Sequence, residues 1–197
     1  IQKLEKKGEF PIRCYGMIGS HYTNLLDSFF KKGTYKSEKY TIRSIKAFID
    51  GALGSRGAAL IDPYSDDKNT CGLILISSEK FKTLTLKCKK YGFQICTHAI
   101  GDKGNKLVLD SYAEALLNSK NLRWRIEHAQ MVTNEDIPKF SKYGIIPSMQ
   151  PSHCTSDMRW MDSRIGKHRF HRISRWQSFI DSGCKIPGGS DCPIEEG

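Results

Sequence analysis

The sequence lacks a long apolar run. Lys, Arg or Gly interrupts every hydrophobic stretch well before the ~18 residues that a membrane-spanning helix requires. Its opening, Ile1-Gln2-Lys3-Leu4-Glu5-Lys6-Lys7, has neither an initiator Met nor the apolar core of a secretory leader, so the chain is expected to begin inside a longer gene product. None of the seven cysteines has a partner at C-x-x-C spacing, which excludes a zinc ribbon and a dithiol redox motif. Their odd number fits free thiols in a reducing compartment, and a cytoplasmic location is expected. Neither G-x-G-x-x-G nor a P-loop follows the first candidate strand, which argues against a nucleotide-binding sheet. There is no zinc finger, RNP-type motif or basic helix with heptads either.

The charge is one-sided, with 31 Lys and Arg against 21 Asp and Glu and a formal net charge of +10. Such a charge can steer anions to a surface. The basic residues are scattered, however, so solvated lysines on outer helices are expected and nucleic acid is not an expected partner. With 197 residues, 39% hydrophobic and 26% charged, the chain suits one domain over residues 1–197.

Runs rich in β-branched and apolar residues alternate with longer amphipathic stretches. Candidate strands are Phe10 to Ile18, Thr41 to Ile49, Phe93 to Ala99, Arg123 to His128, Ile145 to Gln150 and Lys185 to Ser190. Helices are expected from about Ser78 to Tyr91, with Phe81, Leu84 and Cys88 on one face, and from Lys103 to Asn118, with Leu107, Val108, Ala115 and Leu116 together. Two shorter ones are expected over Asn134 to Tyr143, with Thr133 as N-cap and Gly144 as stop, and over Ser174 to Ser182 before Gly183. Strand–helix alternation predicts an α/β fold with a parallel sheet. Without a nucleotide fingerprint, the closed barrel is preferred over the open sheet. Two long connections, Asp50 to Ser77 and Pro151 to Ile173, both follow strand C-termini, where such a barrel carries its active site.

Chemistry-bearing residues gather at the same strands. Lys46 lies in the second candidate strand, while His98, His128 and Asp191 end the third, fourth and last. Two neutral imidazoles and a carboxylate are ordinary zinc ligands. A lysine becomes one only after its amine is capped by carbon dioxide as a carbamate, and burial favours the free amine that this needs. Taken singly, each has a plainer role: a hydrogen-bonded strand-end His, an edge Lys, a capping Asp. Their conjunction points to a metal site.

Five ordered segments carry a closer match. They are Ile45 to Leu60 (IKAFIDGALGSRGAAL), Thr97 to Asp102 (THAIGD), Arg125 to Gln130 (RIEHAQ), Ser148 to His153 (SMQPSH) and Gly189 to Pro193 (GSDCP). In these the chain resembles the YtcJ-like branch of the amidohydrolase superfamily, which includes the N-substituted formamide deformylases. The resemblance implies a partial (β/α)8 TIM barrel, approximately strands three to eight, with a metal centre at its C-terminal rim. It implies that Lys46 is the carboxylated bridging lysine, that His98 and His128 are metal ligands, and that Asp191 binds metal and moves the proton. It places His153 and Gln150 toward the substrate, and Asp50, Gly51 and Arg56 in the loop that shapes the pocket.

The implied reaction is hydrolysis of a carbon–nitrogen bond, in a non-peptide amide or N-formyl compound, by a metal-activated hydroxide. The implied cofactors are a divalent metal, zinc first, and carbon dioxide held on Lys46. The family's His-x-His pair is absent: the six histidines are His21, His98, His128, His153, His168 and His171. One metal therefore loses both imidazoles, and the chain alone is expected to be weakly active or inactive. An incomplete barrel would also leave open strand edges, which favour self-association into a homo-oligomer. The alternative is an inactive fragment or interaction module of amidohydrolase ancestry.

Overall fold

The computed structural model describes residues 1–117, 119 and 121–195. Five strands lie parallel in the order β1 (Cys14–Gly19), β3 (Tyr40–Phe48), β4 (Gln94–Ala99), β5 (Arg125–His128) and β6 (Ile146–Ser148). The two-residue β2 (Tyr35–Lys36) pairs antiparallel with β3. The helices are α1 (Gln2–Lys6), α2 (Thr23–Lys32), α3 (Ser78–Lys90), α4 (Asp102–Leu116), α5 (Ile137–Tyr143), α6 (Pro151–Ser156), α7 (Met161–Ile165) and α8 (Trp176–Asp181). A parallel α/β sheet with helical crossovers is what the strand–helix alternation predicts. The expected end of the fourth helix, Asn118, lies outside the described residues.

Several boundaries differ from expectation for local reasons. The segment Lys185–Ser190 is not a strand; it reaches the sheet through a single parallel bridge between Gly188 and Met149. Pro187 has no N–H to give a ladder, and the following Gly188-Gly189 has little strand propensity. The helix expected from Asn134 begins only at Ile137, because a turn closed by the Asp136 N–H on the Thr133 carbonyl at 3.2 Å occupies the preceding residues. Its stop is as expected: Gly144 takes φ +66°, the left-handed conformation that terminates helices at glycine. The Pro151–Ile173 connection is not open loop, since it contains α6, α7 and two 3-10 turns.

The main core lies between the sheet and its helices. Ile45 and Ala47 of β3 and Ile95 of β4 meet Phe81 and Cys88 of α3 and Val108, Leu109 and Tyr112 of α4. On α4 the expected Val108, Ala115 and Leu116 are buried, Leu107 is half-buried, and the buried stripe extends to Asn105, Leu109 and Tyr112. Trp124 and Tyr112 are fully buried edge-to-face at 4.9 Å, and each satisfies its polar atom: Trp124 Nε1–H donates to the Phe93 carbonyl at 3.0 Å, and Tyr112 O–H meets Thr97 Oγ1 at 2.7 Å. These contacts tie β4, β5 and α4 together below the C-terminal ends of the strands. Lys80, Lys82, Lys87 and Lys90 line the exposed face of α3, a solvated position. Among the described residues no helix is long and apolar enough to cross a membrane.

Candidate metal centre

Residues in register on neighbouring parallel strands project to the same face of the sheet. Lys46 of β3 is level with Cys96 of β4, and Cys96 with Arg125 of β5. Two residues further along, His98 is level with Phe48 on one side and Glu127 on the other. The face turned away from α3 and α4 is therefore polar, a ladder of Lys46, Cys96, Arg125 and Glu127 leading up to His98. Arg125 Nε and Glu127 Oε1 form an ion pair at 2.8 Å.

His128 joins this set through backbone strain. In a regular strand it would point opposite to Glu127. Its φ of +75°, followed by +43° at Ala129, breaks the alternation at the strand end. Such angles are costly for residues with a Cβ and persist only where surrounding structure imposes them. The His128 ring lies 4.5 Å from that of His98 and stacks on that of His153 at 5.5 Å.

Both strand-end imidazoles are neutral at physiological pH. Burial lowers His98 to about 4 and, together with the neighbouring His98, lowers His128 to about 3. Burial also lowers Lys46, partly offset by the charges of Glu127 and Asp191. The same Asp191 charge acts on His98, but among the described residues Asp191 does not converge with His98 and His128 into a three-ligand set.

Hydrogen bonds determine which nitrogens are free. His128 Nδ1 is 2.7 Å from Gln150 Oε1, an acceptor only, so Nδ1 carries the proton and Nε2 keeps a lone pair. His98 Nε2 faces the Gly51 carbonyl at 3.4 Å and Asp50 Oδ1 at 3.6 Å. A lone pair aimed at two oxygens would be repelled, so Nε2 carries the proton and Nδ1 is free. Metal-ligating histidines are commonly tied back in this manner.

The remaining expected residues fall into two groups. His153 sits at the centre: its buried Nε2 has no hydrogen-bond partner and lies 3.5 Å from Glu195 Oε1 and 4.0 Å from Asp191 Oδ2. Asp191 takes φ +57° and its side chain is 39% exposed. Gln150 reaches His128, as above. Asp50 points inward, its side chain 0% exposed, and burial pushes its carboxyl up to about 7 against three backbone N–H donors that pull it down. Arg56 stands on the outer part of its loop, with φ +58°, in a two-pronged contact with Asp66 at 3.0 and 3.1 Å.

The donor set suits a divalent cation in part. Two neutral imidazoles offer free lone pairs, and His153 Nε2 is an orphaned polar atom beside them. Among the described residues no three His, Cys, Asp or Glu side chains are disposed to hold a metal by themselves, so the imidazole pair needs a further donor.

Known proteins place the chain. The sequence profile of the amidohydrolase family matches residues 1–196. The chain belongs to the amidohydrolase family. This amidohydrolase chain is 33% identical over 98% of its length to the Bacillus subtilis (strain 168) protein YtcJ, named as an amidohydrolase, and covers 36% of it. It is 35% identical over 89% of its length to Protein LONG AFTER FAR-RED 3 of Arabidopsis thaliana, covering 30% of that protein. Two crystal structures of uncharacterized metal-dependent hydrolases superpose on 99% of the chain. The Pyrococcus furiosus protein has a TM-score of 0.88 at 28% identity, with 40% of it covered. The Pyrococcus horikoshii OT3 protein has 0.89 at 29%, with 39% covered. The amidohydrolase chain thus spans between 30% and 40% of the length of these relatives.

Two acidic residues at the centre escape a sequence reading. Glu127 lies beside Lys46 and His98, and Glu195 accepts from Ser156 Oγ at 2.6 Å while facing His153. Glu127 precedes a recognised histidine, and its inward direction follows from strand alternation. Glu195 has no such signal.

Proposed function

We propose that this chain contributes the catalytic rim of a metal-dependent hydrolase acting on carbon–nitrogen bonds, of the non-peptide amide or N-formyl type, in a small-molecule substrate. The observation that carries the reading is the imidazole pair: His98 and His128 lie 4.5 Å apart, held neutral, with their proton-bearing nitrogens engaged elsewhere. Lys46, His98, His128 and Asp191 would hold the cation, with zinc the first candidate. When bound, such an ion supplies Lewis acidity, polarising the scissile carbonyl and lowering the pKa of water.

The protein's own residues have separable tasks. Burial lowers Lys46 and so favours the free amine, whose Nζ lone pair attacks carbon dioxide; the nitrogen loses a proton and ends as a carbamate with two oxygen donors. Asp191 accepts the proton of the attacking water at a carboxylate oxygen and returns it to the departing nitrogen. His153 Nε2, without a partner, is placed to donate to a substrate oxygen. A cytoplasmic setting suits the seven free cysteines.

A second reading is favoured by one observation: no three ligands of the usual types converge among the described residues. The chain would then keep the amidohydrolase fold without holding metal on its own, or use its open sheet edges to associate with copies of itself.

The test is amine release from N-formyl amines, acyl amides and matched esters, with the chain supplied with zinc and bicarbonate, beside Asp191→Asn. Release from amides that is lost in the variant supports the reading. Hydrolysis of esters alone, or amine release that survives in the variant, overturns it.

A further inference from the structure

The geometry points to Asp50 as a positioning residue that sets which nitrogen of His98 carries the proton and therefore which one faces the centre. The inference rests on the metal-centre reading for its purpose, but its geometry stands independently.

Asp50 follows β3 immediately, and its side chain is sealed from solvent. A carboxylate so buried is costly unless its oxygens are satisfied. Oδ2 accepts from Ala59 N–H at 3.0 Å and Gly101 N–H at 2.8 Å. Oδ1 accepts from Ile100 N–H at 3.0 Å and keeps a second lone pair, which lies 3.6 Å from His98 Nε2. One carboxylate therefore anchors the long loop at Ala59 and the backbone two and three residues past His98, and stands 3.6 Å from the ring nitrogen of His98. The chain direction it imposes also presents the Gly51 carbonyl to the same Nε2 at 3.4 Å.

Space around the knot is tight. A Cβ on Gly104, in the first turn of α4, would fall 2.5 Å from Asp50 Oδ2, so the helix can approach only with glycine there. Asn105 strengthens the same corner: the two hydrogens of its Nδ2 are shared among the carbonyls of Ala99 at 3.1 Å, Ile100 at 3.3 Å, Gly101 at 3.0 Å and Met131 at 3.2 Å. The carboxylate thus cannot drift from His98 without breaking backbone bonds. With two oxygens confronting Nε2, the proton stays there and the Nδ1 lone pair is left for a ligand. Asparagine at this position replaces one oxygen by an NH2 group, which would confront either a backbone N–H or the ring.

The experiment uses the purified chain labelled with 15N in histidine. Long-range 1H–15N correlation at about pH 8.5, where the Asp50 carboxyl is ionised, without added metal, reads the tautomer of each ring. His98 is assigned from a His98→Gln spectrum, and zinc affinity is then titrated. Wild type should show His98 protonated at Nε2. Asp50→Asn should mix or reverse the tautomer and weaken zinc about tenfold to a hundredfold, the usual scale for losing such a partner. Should that variant not fold, Gly104→Ala pushes on the same carboxylate and should shift the His98 signals in the same direction.

A purely structural Asp50 would lower Tm and leave the tautomer alone. That result in a folded variant, or a wild-type His98 protonated at Nδ1, overturns the inference. A wild-type chain that binds no zinc while its His98 tautomer still responds to Asp50→Asn would count against the metal-centre reading and not against Asp50's role.

Discussion

His128 Nδ1–H donates to Gln150 Oε1 at 2.7 Å, across the gap between the ends of β5 and β6. The bond orients a ring whose own backbone, at φ +75°, is strained. Gln150→Ala should therefore release the ring without opening the core, because Gln150 is only half-buried. Zinc affinity should fall about tenfold or more, with the urea midpoint nearly unchanged. Equal zinc affinity in wild type and variant, by titration calorimetry, would contradict this role.

Acid should destabilise the chain earlier than carboxylate titration alone would. His98 and His128 are lowered to about 4 and about 3 from an ordinary 6.5. Below pH 6.5 the unfolded chain takes up these protons first, so their stabilisation is complete above that pH and is lost as pH falls toward 3. Asp50 has the opposite sign: raised from 3.8 to about 7, it favours the folded state in acid and loses that contribution as pH rises. Two imidazoles outweigh one carboxyl, so the urea midpoint should drop between pH 7 and pH 4.5. His98→Ala/His128→Ala should flatten or invert this slope. A midpoint independent of pH in wild type would refute the buried neutral pair.

Gly104→Ala sets two effects against each other. Alanine in a helix interior is worth about 1 kcal/mol over glycine, and less in the first turn where Gly104 lies. The added Cβ meets a carboxylate anchored by three backbone donors, and overpacking of this kind costs about 1–3 kcal/mol. A net loss is expected, seen as a lower Tm in thermal unfolding. A higher Tm would mean that Asp50 yields easily.

Much of this arrangement is legible in the sequence, and the illegible parts share a cause. Strand alternation and a single glycine stop mark β3, β4, β5 and α5, and the positions of Lys46 within its strand and of His98 and His128 at the ends of theirs follow directly. What spacing does not reveal is the partner of each polar group. Asp50 sits in a recognisable loop motif, yet only the fold brings the Ala59, Ile100 and Gly101 amides onto it. Gln150 lies within a motif expected to face the substrate, but its oxygen is taken by His128. Lys185–Ser190 offers Ile186 alone as a strand former, and Pro187 and the glycines deny it the ladder.

Asp66 joins two long connections, contacting Arg56 on one and Arg164 on the other. Surface ion pairs of this exposure contribute little, typically under about 1 kcal/mol. Asp66→Ala should therefore leave Tm close to wild type. It should nevertheless loosen the loop around Arg56, which holds φ +58°. Limited trypsin digestion should cut after Arg56 several-fold faster in the variant; an unchanged cleavage pattern would mean that the loop is held by its apolar packing, including Trp160 against Gly54.

The central claim is that the strand-end imidazoles form a metal half-site within this chain. Elemental analysis of the purified chain, after exposure to zinc and bicarbonate, tests it beside the His98→Ala/His128→Ala variant. The account predicts about one zinc ion per chain in wild type, lost in the variant. A folded wild-type chain without metal, or a variant that retains it, would contradict the account.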